Sequence, residues 1–266
     1  MATASQFGPH FGTRAVHGGQ KPDPTTLSRA PAVYRTSSFV FKSAEHAANL
    51  FALKEFGNIY SRLGNPTNDM LEAMVSELEG GAASVSVASG TAAIFNTIIT
   101  IARAGDEILS ASNLYGGTYT MFDAILPDLG ITTRWADVRN LSTFEEGITE
   151  KTRLIYVETI GNPSLDVADI SVIAEIAHRH HLPLVVDGTF TTPYLLRTLE
   201  HGADIVINSL TKWMGGHGTA IGGIVTDGGT FDWSDPKFTL FTQPDKNYHG
   251  LRWALDLPTE LTKIAF

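Results

Sequence analysis

The stretch LPLVVDGTFTTPYLLRTLEHGADIVINSLTKWMGGHG, residues 182–218, contains two short runs rich in Val and Ile, at 183–187 and 204–208, and a helical pattern at 193–201 between them. Two strands joined through a helix run parallel in one sheet, because a parallel connection needs a long crossover. Small and polar residues follow each run directly. Because ligands bind at the carboxyl ends of parallel strands, the stretch predicts a parallel sheet with functional residues at that edge.

The same alternation extends in both directions along the chain. Further β-rich runs lie at 83–88, 107–111, 131–136, 153–158 and 220–226, and further helical patterns lie at 43–56, 66–79, 91–103, 118–129 and 169–181. Ser43 is a candidate N-cap, and Gly80 ends the helix that begins near residue 66. The order predicts an α/β fold: a mostly parallel, seven-stranded sheet covered by helices on both faces. Residues 1–40 lack periodicity and predict an extended N-terminal arm.

The composition argues against several classes of protein. A formal net charge of −9 disfavours nucleic acid or an anionic membrane as a partner, so any anion has to be held by local groups. The chain has no cysteine, and its histidines show no metal-ligand spacing. The N-terminus lacks the apolar core of a signal peptide, and the longest apolar segment, 92–102, is too short to span a bilayer. We therefore expect a cytoplasmic protein without a metal site.

Lys212 follows the β-rich run at 204–208, with the hydroxyls of Ser209 and Thr211 close by and a run of glycines after it. Glycine lets a ligand approach the backbone closely. A lysine amine with hydroxyl donors beside it can bind an aldehyde that carries a phosphate, and forms a Schiff base once its pKa is lowered. The alternative is an ordinary solvated surface charge. The residues of this segment alone leave both interpretations open.

Two other strand ends carry candidate binding groups. Ser89, Gly90 and Thr91 stand between a β-rich run and a helix, where free N–H groups and the helix dipole suit a phosphate. The alternative is a tight turn with a serine cap. Asp187 can bind a metal or a cationic ligand atom, or cap a loop. The chain has neither GxxxxGK[ST] nor GxSxG, which argues against a nucleotide hydrolase and a serine hydrolase.

Aromatic residues and an arginine mark two further segments. Tyr60 and Arg62 are two apart, so both side chains point the same way if the segment is extended, and arginine suits phosphate. Tyr115 lies beside two glycines after the run at 107–111, where its ring could stack on a flat ligand. An exposed loop pair and a tyrosine at the rim of a pocket are the respective alternatives.

Together these segments resemble the Cys/Met-metabolism family of pyridoxal-phosphate enzymes, whose large domain has the aspartate-aminotransferase fold. Seven stretches carry the resemblance, in the order that the family has: TRAVHGG (13–19), YSRLGNPTNDMLE (60–72), VASGTAA (87–93), NLYGGTY (113–119), ETIGNP (158–163), LPLVVDGTFTTPY (182–194) and NSLTKWMGGHG (208–218). They extend over most of the chain, and an ordered set of this kind is far more specific than any single motif.

The resemblance implies how the cofactor phosphate and its aldehyde are bound. Lys212 corresponds to the lysine that forms the Schiff base. Five residues would contact the phosphate: Ser209, Thr211, Ser89, Gly90 and Thr91. In the family, the element that contains Tyr60 and Arg62 reaches the phosphate of a neighbouring subunit's cofactor. The resemblance therefore implies a homodimer with shared sites, often assembled into a tetramer.

The resemblance also implies which residues contact the cofactor ring. Asp187 would pair with the protonated pyridine nitrogen, and Tyr115 would lie over the ring and help to move protons. Asn162 would reach the ring hydroxyl, with Glu158 nearby. Gly188 departs from the family, which usually has asparagine after the aspartate. A protonated ring nitrogen beside a buried carboxylate suits a cofactor that accepts electrons from a substrate carbanion.

Within the family, Trp213 and the GGHG run are most similar to the O-acetylhomoserine sulfhydrylase branch. This implies γ-replacement on an activated homoserine ester, with an amino-acid substrate and a sulfur donor as the small-molecule partners. The nearest alternative is a γ- or β-eliminating lyase of the same family. Methionine γ-lyases tend to have cysteine where Gly117 stands. A non-catalytic chain that only binds cofactor is the alternative of a different class.

The resemblance divides the chain into three parts: an N-terminal arm and helix at 1–65, a cofactor-binding large domain at 66–245, and the start of a truncated C-terminal region at 246–266. In the family, the C-terminal domain supplies the arginine that binds the substrate carboxylate. Arg197 and Arg252 are the late candidates in this chain, and neither lies in a matching motif. We therefore expect this chain by itself to bind cofactor and to turn over poorly.

Overall fold

Seven strands form one sheet in the computed structural model, which describes residues 10–257. The strands are β1 Ala83–Val87, β2 Glu107–Ala111, β3 Thr132–Ala136, β4 Thr152–Glu158, β5 Leu184–Asp187, β6 Ile205–Asn208 and β7 Gly223–Asp227. Their order in the sheet is β1-β7-β6-β5-β4-β2-β3. Only β7 runs against its neighbours, antiparallel to both β1 and β6. The mostly parallel, seven-stranded α/β sheet is confirmed.

Helices connect the strands. They are α1 Phe11–His17, α2 Ala44–Phe51, α3 Pro66–Glu79, α4 Gly90–Ile101, α5 Gly116–Thr120, α6 Leu126–Asp128, α7 Ser142–Gly147, α8 Ile170–Arg179, α9 Thr192–Leu195 and α10 Thr239–Thr242. A π-helical turn, Met121–Ile125, joins α5 to α6, and 3-10 turns lie at Thr198–His201 and Lys246–Tyr248. Within the described residues, none of these helices has the length and apolarity to cross a bilayer.

The sheet is the centre of the hydrophobic core. Every residue of β6 and β7 is buried, as are all but one of β4. Because successive side chains of a strand point to opposite faces, burial of every residue means that both faces are covered. Fully buried aromatic side chains, including Phe122, Tyr156 and Phe238, fill the space between sheet and helices.

Capping residues account for the ends of α2 and α3 that the sequence predicts well. Asn65 caps α3 by accepting the Thr67 N–H at 2.9 Å, and Pro66 occupies the first turn, where its missing N–H costs nothing. Gly80 ends the same helix with φ +78°, a backbone conformation that glycine adopts without strain. Ser43 caps α2 through the His46 N–H, as expected.

The predicted extended arm is wrong over Phe11–His17, which form helix α1. A seven-residue helix is too short to show periodicity, and packing against α3 stabilises it. Arg14 donates to the Glu77 carbonyl oxygen at 3.2 Å, and the Gly19 N–H donates to Glu77 Oε2 at 3.1 Å. Residues 1–9 of the predicted arm lie outside the described residues.

Three predicted helices are interrupted or shorter. α2 ends at Phe51 because Leu53 turns into the left-handed region, at φ +55°. The helix predicted at 118–129 widens into a π-turn just before Pro127, whose ring clashes with a regular preceding turn. The helix predicted at 193–201 breaks at Arg197, which is extended and donates to the Glu79 carbonyl oxygen at 3.3 Å.

The buried carboxylate of Asp204 links α8 to β5, and this contact should make the free energy of unfolding depend on pH. Asp204 accepts His178 Nε2 at 2.9 Å and the Leu184 N–H at 2.8 Å, and the bond to Asp204 raises the pKa of His178. A folded pKa above the unfolded value near 6.5 gives stability that is fully present below that value and lost as the pH rises through the folded pKa.

We therefore expect His178→Ala to lower the melting temperature more at acidic than at alkaline pH, by about 2 °C at most, because the imidazole is partly exposed. Thermal unfolding followed by circular dichroism at about pH 6 and about pH 9 measures the difference. An equal loss at both pH values would show that His178 contributes packing alone.

Candidate active site

The carboxyl ends of four strands meet at a cleft of about 610 Å³. β1 runs in the same direction as β6, because both are antiparallel to β7, so its end reaches the same edge as those of β4, β5 and β6. Such an edge is where parallel sheets bind ligands, and the volume suits a small molecule. The cleft brings together these predicted residues: Ser89, Gly90, Thr91, Tyr115, Asn162, Asp187, Ser209, Thr211 and Lys212, with Glu158.

Lys212 lies in a tight loop directly after β6. Its N–H donates to the Ser209 carbonyl oxygen at 3.1 Å, and its own carbonyl oxygen accepts the Gly216 N–H at 2.9 Å. Gly216 has φ +69°, a left-handed backbone conformation that favours glycine. The side chain is exposed to the cleft, and its amine has no hydrogen bond or ion pair within residues 10–257. The amine is therefore free to react with a ligand.

A buried pair anchors the start of this loop to α3. Asn208, the last residue of β6, donates through Nδ2 to Glu79 Oε1 at 2.7 Å. Burial raises the pKa of Glu79 to about 7. The pair ties the end of β6 to the end of α3 and so limits how far the Lys212 loop can shift.

The first turn of α4 and Ser209 form the side of the cleft that suits a phosphate. Ser89 caps α4, since its hydroxyl oxygen accepts the Ala92 N–H at 3.0 Å, as the alternative of a serine cap predicts. The hydroxyl proton is still available to donate to a phosphate. The N–H groups of a first helical turn have no partner within the helix. A Cβ on Gly90 would lie 2.6 Å from the Ser209 Cβ, so only glycine lets the two segments approach this closely.

The Thr211 hydroxyl is already engaged in the structure. It donates to the Gly222 carbonyl oxygen at 3.2 Å and accepts the Gly222 N–H at 3.1 Å. Both bonds tie the Lys212 loop to the start of β7. A contact from this hydroxyl to a phosphate would replace its bond to the carbonyl oxygen.

Asp187 ends β5 at the floor of the cleft. Its Oδ1 accepts the Thr189 N–H at 2.8 Å, and its Oδ2 accepts the Tyr156 hydroxyl at 3.3 Å. Burial raises the pKa of Asp187, and the bonds from Thr189 and Tyr156 work in the opposite direction. A half-buried carboxylate that receives two donors, and that forms no ion pair with a cation among residues 10–257, is well placed to bind a protonated ring nitrogen.

Glu158 stands next to Asp187 on the neighbouring strand, and the two residues are paired in the β4–β5 register. Glu158 is 8% exposed, and its Oε1 accepts the Tyr115 N–H at 2.8 Å. Burial, with repulsion from Asp187, raises the pKa of Glu158 to about 8. The acid is therefore mostly protonated at neutral pH.

Two polar residues that orient groups of the site, Tyr156 and Thr189, were not predicted from the sequence. Tyr156 is fully buried, and burial with the neighbouring carboxylates raises its pKa well above the usual value, so it stays a donor to Asp187. Thr189 bridges two loops, since its hydroxyl accepts the Ser209 N–H at 2.8 Å. Tyr156 could have been found, because it lies two residues before Glu158 on the same strand and faces the same side. Nothing in the sequence distinguishes Thr189 from its neighbouring threonines.

Tyr60 and Arg62 do not line the cleft. The segment is a turn rather than an extended strand, because the N–H groups of Leu63 and Gly64 both donate to the Tyr60 carbonyl oxygen. The Arg62 guanidinium carbon nevertheless lies 5.6 Å from the centroid of the Tyr60 ring, so the two side chains are on the same side. Both residues are exposed, and they stay candidates for a site completed by a second subunit.

The two late arginines are engaged elsewhere. Arg197 pairs with Glu200 and binds the end of α3, and Arg252 pairs with Asp256 at 2.6 Å. Neither lines the cleft. The described residues of the cleft therefore include Lys212 as a cation but no arginine.

The donor set of the cleft fits pyridoxal phosphate. An unpaired amine can bond to its aldehyde, a buried carboxylate can bind its ring nitrogen, and the start of a long helix with serine hydroxyls can bind its phosphate. Tyr115 provides an aromatic face at the rim of the cleft. The sheet edge therefore offers one group for each polar part of pyridoxal phosphate: the aldehyde, the ring nitrogen and the phosphate.

Comparison with known proteins gives the family. Residues 12–243 match the Cys/Met metabolism PLP-dependent enzyme family, and the chain belongs to it. It is 52% identical over 241 residues to the O-acetyl-L-homoserine sulfhydrylase of Leptospira meyeri, a match that covers 91% of this chain and 54% of that protein. The chain thus spans about half the length of this relative.

Solved structures show the same fold. A Campylobacter jejuni protein described as an O-acetylhomoserine (thiol)-lyase, which carries a pyridoxyl-lysine phosphate, superposes with a TM-score of 0.89 at 36% identity, over 96% of this chain and 64% of that one. The cystathionine γ-lyase of Lactobacillus plantarum superposes with a TM-score of 0.76 at 38% identity, over 82% of this chain and 55% of that one.

Proposed function

We propose that this protein catalyses γ-replacement on O-acetylhomoserine, in which sulfide or a thiol takes the place of the acetate group. The products are acetate and homocysteine when sulfide enters, or acetate and methionine when methanethiol enters. The observation that carries the proposal is the 52% identity to an O-acetyl-L-homoserine sulfhydrylase over the part of the chain that builds the cleft.

The residues of the cleft have distinct tasks in this reaction. Bound pyridoxal phosphate supplies an acceptor for the electrons left on a substrate carbon after deprotonation. Lys212 holds the cofactor in the resting enzyme, and its released amine then removes and returns protons at the substrate Cα and Cβ. Asp187 keeps the ring nitrogen protonated, and Tyr115 covers the ring and assists proton movement.

The remaining residues of the cleft bind and orient. Asn162 reaches the ring hydroxyl, and the phosphate is held by the hydroxyl and N–H groups of five residues: Ser89, Gly90, Thr91, Ser209 and Thr211. The substrate is a small amino acid and the second reactant a sulfur donor. The enzyme acts in the cytoplasm.

An eliminating lyase of the same family is the second candidate, because a cystathionine γ-lyase shares the fold at 38% identity. Such a lyase releases ammonia and a keto acid from one sulfur amino acid and needs no second substrate. A chain that binds the cofactor without turnover is the third candidate.

One assay separates the three candidates. The purified protein is loaded with pyridoxal phosphate and supplied with O-acetylhomoserine, with and without sulfide, or with a sulfur amino acid alone, and homocysteine, acetate and ammonia are measured. We expect homocysteine and acetate in equal amounts, only when sulfide is present, and at a low rate when residues 1–266 are assayed by themselves. Ammonia release without sulfide from O-acetylhomoserine or a sulfur amino acid would identify a lyase, and bound cofactor without any product would identify an inactive chain.

The proposal includes shared sites in a dimer, with tetramers built from such dimers. Tyr60 and Arg62 are exposed at a turn away from their own cleft, and arginine is suited to a phosphate. Each cleft would then receive these two side chains from a second copy of the chain.

We therefore expect inactive Arg62→Ala and Lys212→Ala chains to regain activity when they are mixed, because a mixed dimer forms one intact cleft. Random pairing would restore about a quarter of the wild-type activity per dimer. Turnover is measured after the two chains are denatured and refolded together, with differently tagged copies to verify mixed dimers. Mixed dimers without recovered activity would show that each cleft is built within one chain.

A further inference from the structure

Glu158 has an unusual position for an acidic residue. It is almost completely buried at the end of β4, it lines the cleft beside Asp187, and no cation among residues 10–257 forms an ion pair with it. Burying a carboxyl group next to another one costs stability, so the position of Glu158 calls for an explanation. Its hydrogen bond to the Tyr115 backbone indicates one.

The Tyr115 N–H is the donor that Glu158 accepts, at 2.8 Å. Tyr115 is the N-cap residue of α5, and its side chain makes no capping bond. Its ring is 51% exposed and lies over Gly117, where a Cβ would stand 2.6 Å from Tyr115 Cε1. The hydrogen bond from the Tyr115 N–H to Glu158 and the absence of a side chain at Gly117 therefore determine the orientation of the Tyr115 ring together.

A second contact joins the same two loops. A Cβ on Gly161 would lie 2.5 Å from the Asn113 carbonyl oxygen, so the backbone after Glu158 approaches the backbone before Tyr115 as closely as glycine allows. The loop after β4 contains Asn162, and the loop after β2 contains Tyr115. Glu158 therefore links the two loops that contain the residues proposed to contact the cofactor ring.

We propose that Glu158 is a positioning residue, which holds the Tyr115 ring over the cleft by accepting the Tyr115 N–H. The inference rests on the proposed function, because it needs pyridoxal phosphate in the cleft. When Glu158 is protonated, it places no second negative charge beside Asp187. Asp187 can then be ionised and pair with the ring nitrogen. The raised pKa of Glu158 agrees with this assignment.

Two substitutions of Glu158 distinguish its role as a hydrogen-bond acceptor from an effect of its charge. Glu158→Gln keeps an oxygen that can accept the Tyr115 N–H and is always neutral, whereas Glu158→Ala removes the acceptor. Glu72→Ala is the matched control, because Glu72 Oε1 also accepts a backbone N–H, that of Ser86 at 2.7 Å, but lies outside the cleft. The wild type and the three variants are compared as the whole protein.

The first readout needs no cofactor. Hydrogen–deuterium exchange of a peptide that contains Tyr115 should become faster in Glu158→Ala and stay near the wild-type rate in Glu158→Gln and Glu72→Ala. The second readout is the binding of pyridoxal phosphate and the circular dichroism that the cleft induces in its visible band. We expect Glu158→Ala to weaken binding roughly tenfold and to reduce the induced signal, since one buried hydrogen bond is lost. Glu158→Gln should restore both.

Each other outcome overturns the proposal. If Glu158→Gln behaves like Glu158→Ala, the carboxylate acts through its charge and not as an acceptor. If both variants behave like the wild type while the wild type binds pyridoxal phosphate, Glu158 does not position Tyr115 and the proposed function is unaffected. If the wild type does not bind pyridoxal phosphate, the proposed function fails first.

Discussion

Replacement of Lys212 by alanine should abolish the covalent attachment of pyridoxal phosphate and lower turnover by on the order of 10⁴-fold, because in the proposed function one amine both holds the cofactor and moves the substrate protons. The Lys212 amine is unpaired in the cleft, and the loop around it is held by backbone bonds that do not involve the side chain. The variant should therefore fold normally. Absorbance in the visible range measures the attachment, and steady-state turnover measures the rate.

Lys151 offers a matched control for this prediction. It is an exposed lysine before β4, outside the cleft. Lys151→Ala should keep the visible band and the wild-type rate. A visible band of normal intensity in Lys212→Ala would contradict the assignment of the lysine.

Asp187→Ala should lower turnover roughly a hundredfold, equivalent to about 3 kcal/mol in the barrier, because it removes a charge-assisted contact to the ring nitrogen. Asp187 is held by Thr189 and Tyr156 in an orientation toward the cleft, and no other carboxylate of the cleft replaces it, since Glu158 is engaged with Tyr115. Steady-state kinetics with O-acetylhomoserine and sulfide measure the effect.

A stability measurement shows whether this loss is functional. Burial raises the pKa of Asp187, so the buried charge costs stability in the folded protein without cofactor. The melting temperature of cofactor-free Asp187→Ala should therefore stay close to that of the wild type, because the removal of this cost offsets the loss of the hydrogen bonds from Thr189 and Tyr156. Turnover close to the wild-type rate in this variant would rule out the proposed role of Asp187.

The sequence predicts the sheet well for a physical reason. Strands buried on both faces are short, mostly apolar runs between turn residues. The strand β2 follows Gly105 and Asp106 and ends before Ser112 and Asn113, so its bounds can be predicted directly. Elements that tertiary contacts decide are not visible in this way. Helix α1 forms on α3 through Glu77, and the break at Arg197 forms because that side chain binds the end of α3.

In the candidate site too, some residues could be predicted from the sequence, whereas others depend on tertiary contacts. Strand-end residues such as Lys212, Asp187 and Ser89 could be picked out, because every parallel strand ends at one edge of the sheet. Tyr156 lies within a strand, and its hydroxyl donates to Asp187 on the neighbouring strand. This contact can be predicted only when the register of β4 and β5 is known. The role proposed for Tyr60 and Arg62 depends on a second copy of the chain, so the structure of one chain does not display it.

The central claim is that Lys212 holds pyridoxal phosphate in the cleft. The most direct test is to load the protein with pyridoxal phosphate, reduce it with borohydride, digest it, and locate the pyridoxyl group by peptide mass spectrometry. We predict a single modified site, Lys212, on the peptide that contains residues 208–218. A pyridoxyl group on another lysine such as Lys151 with Lys212 unmodified, or no covalent modification in a protein that has bound the cofactor, would contradict the account.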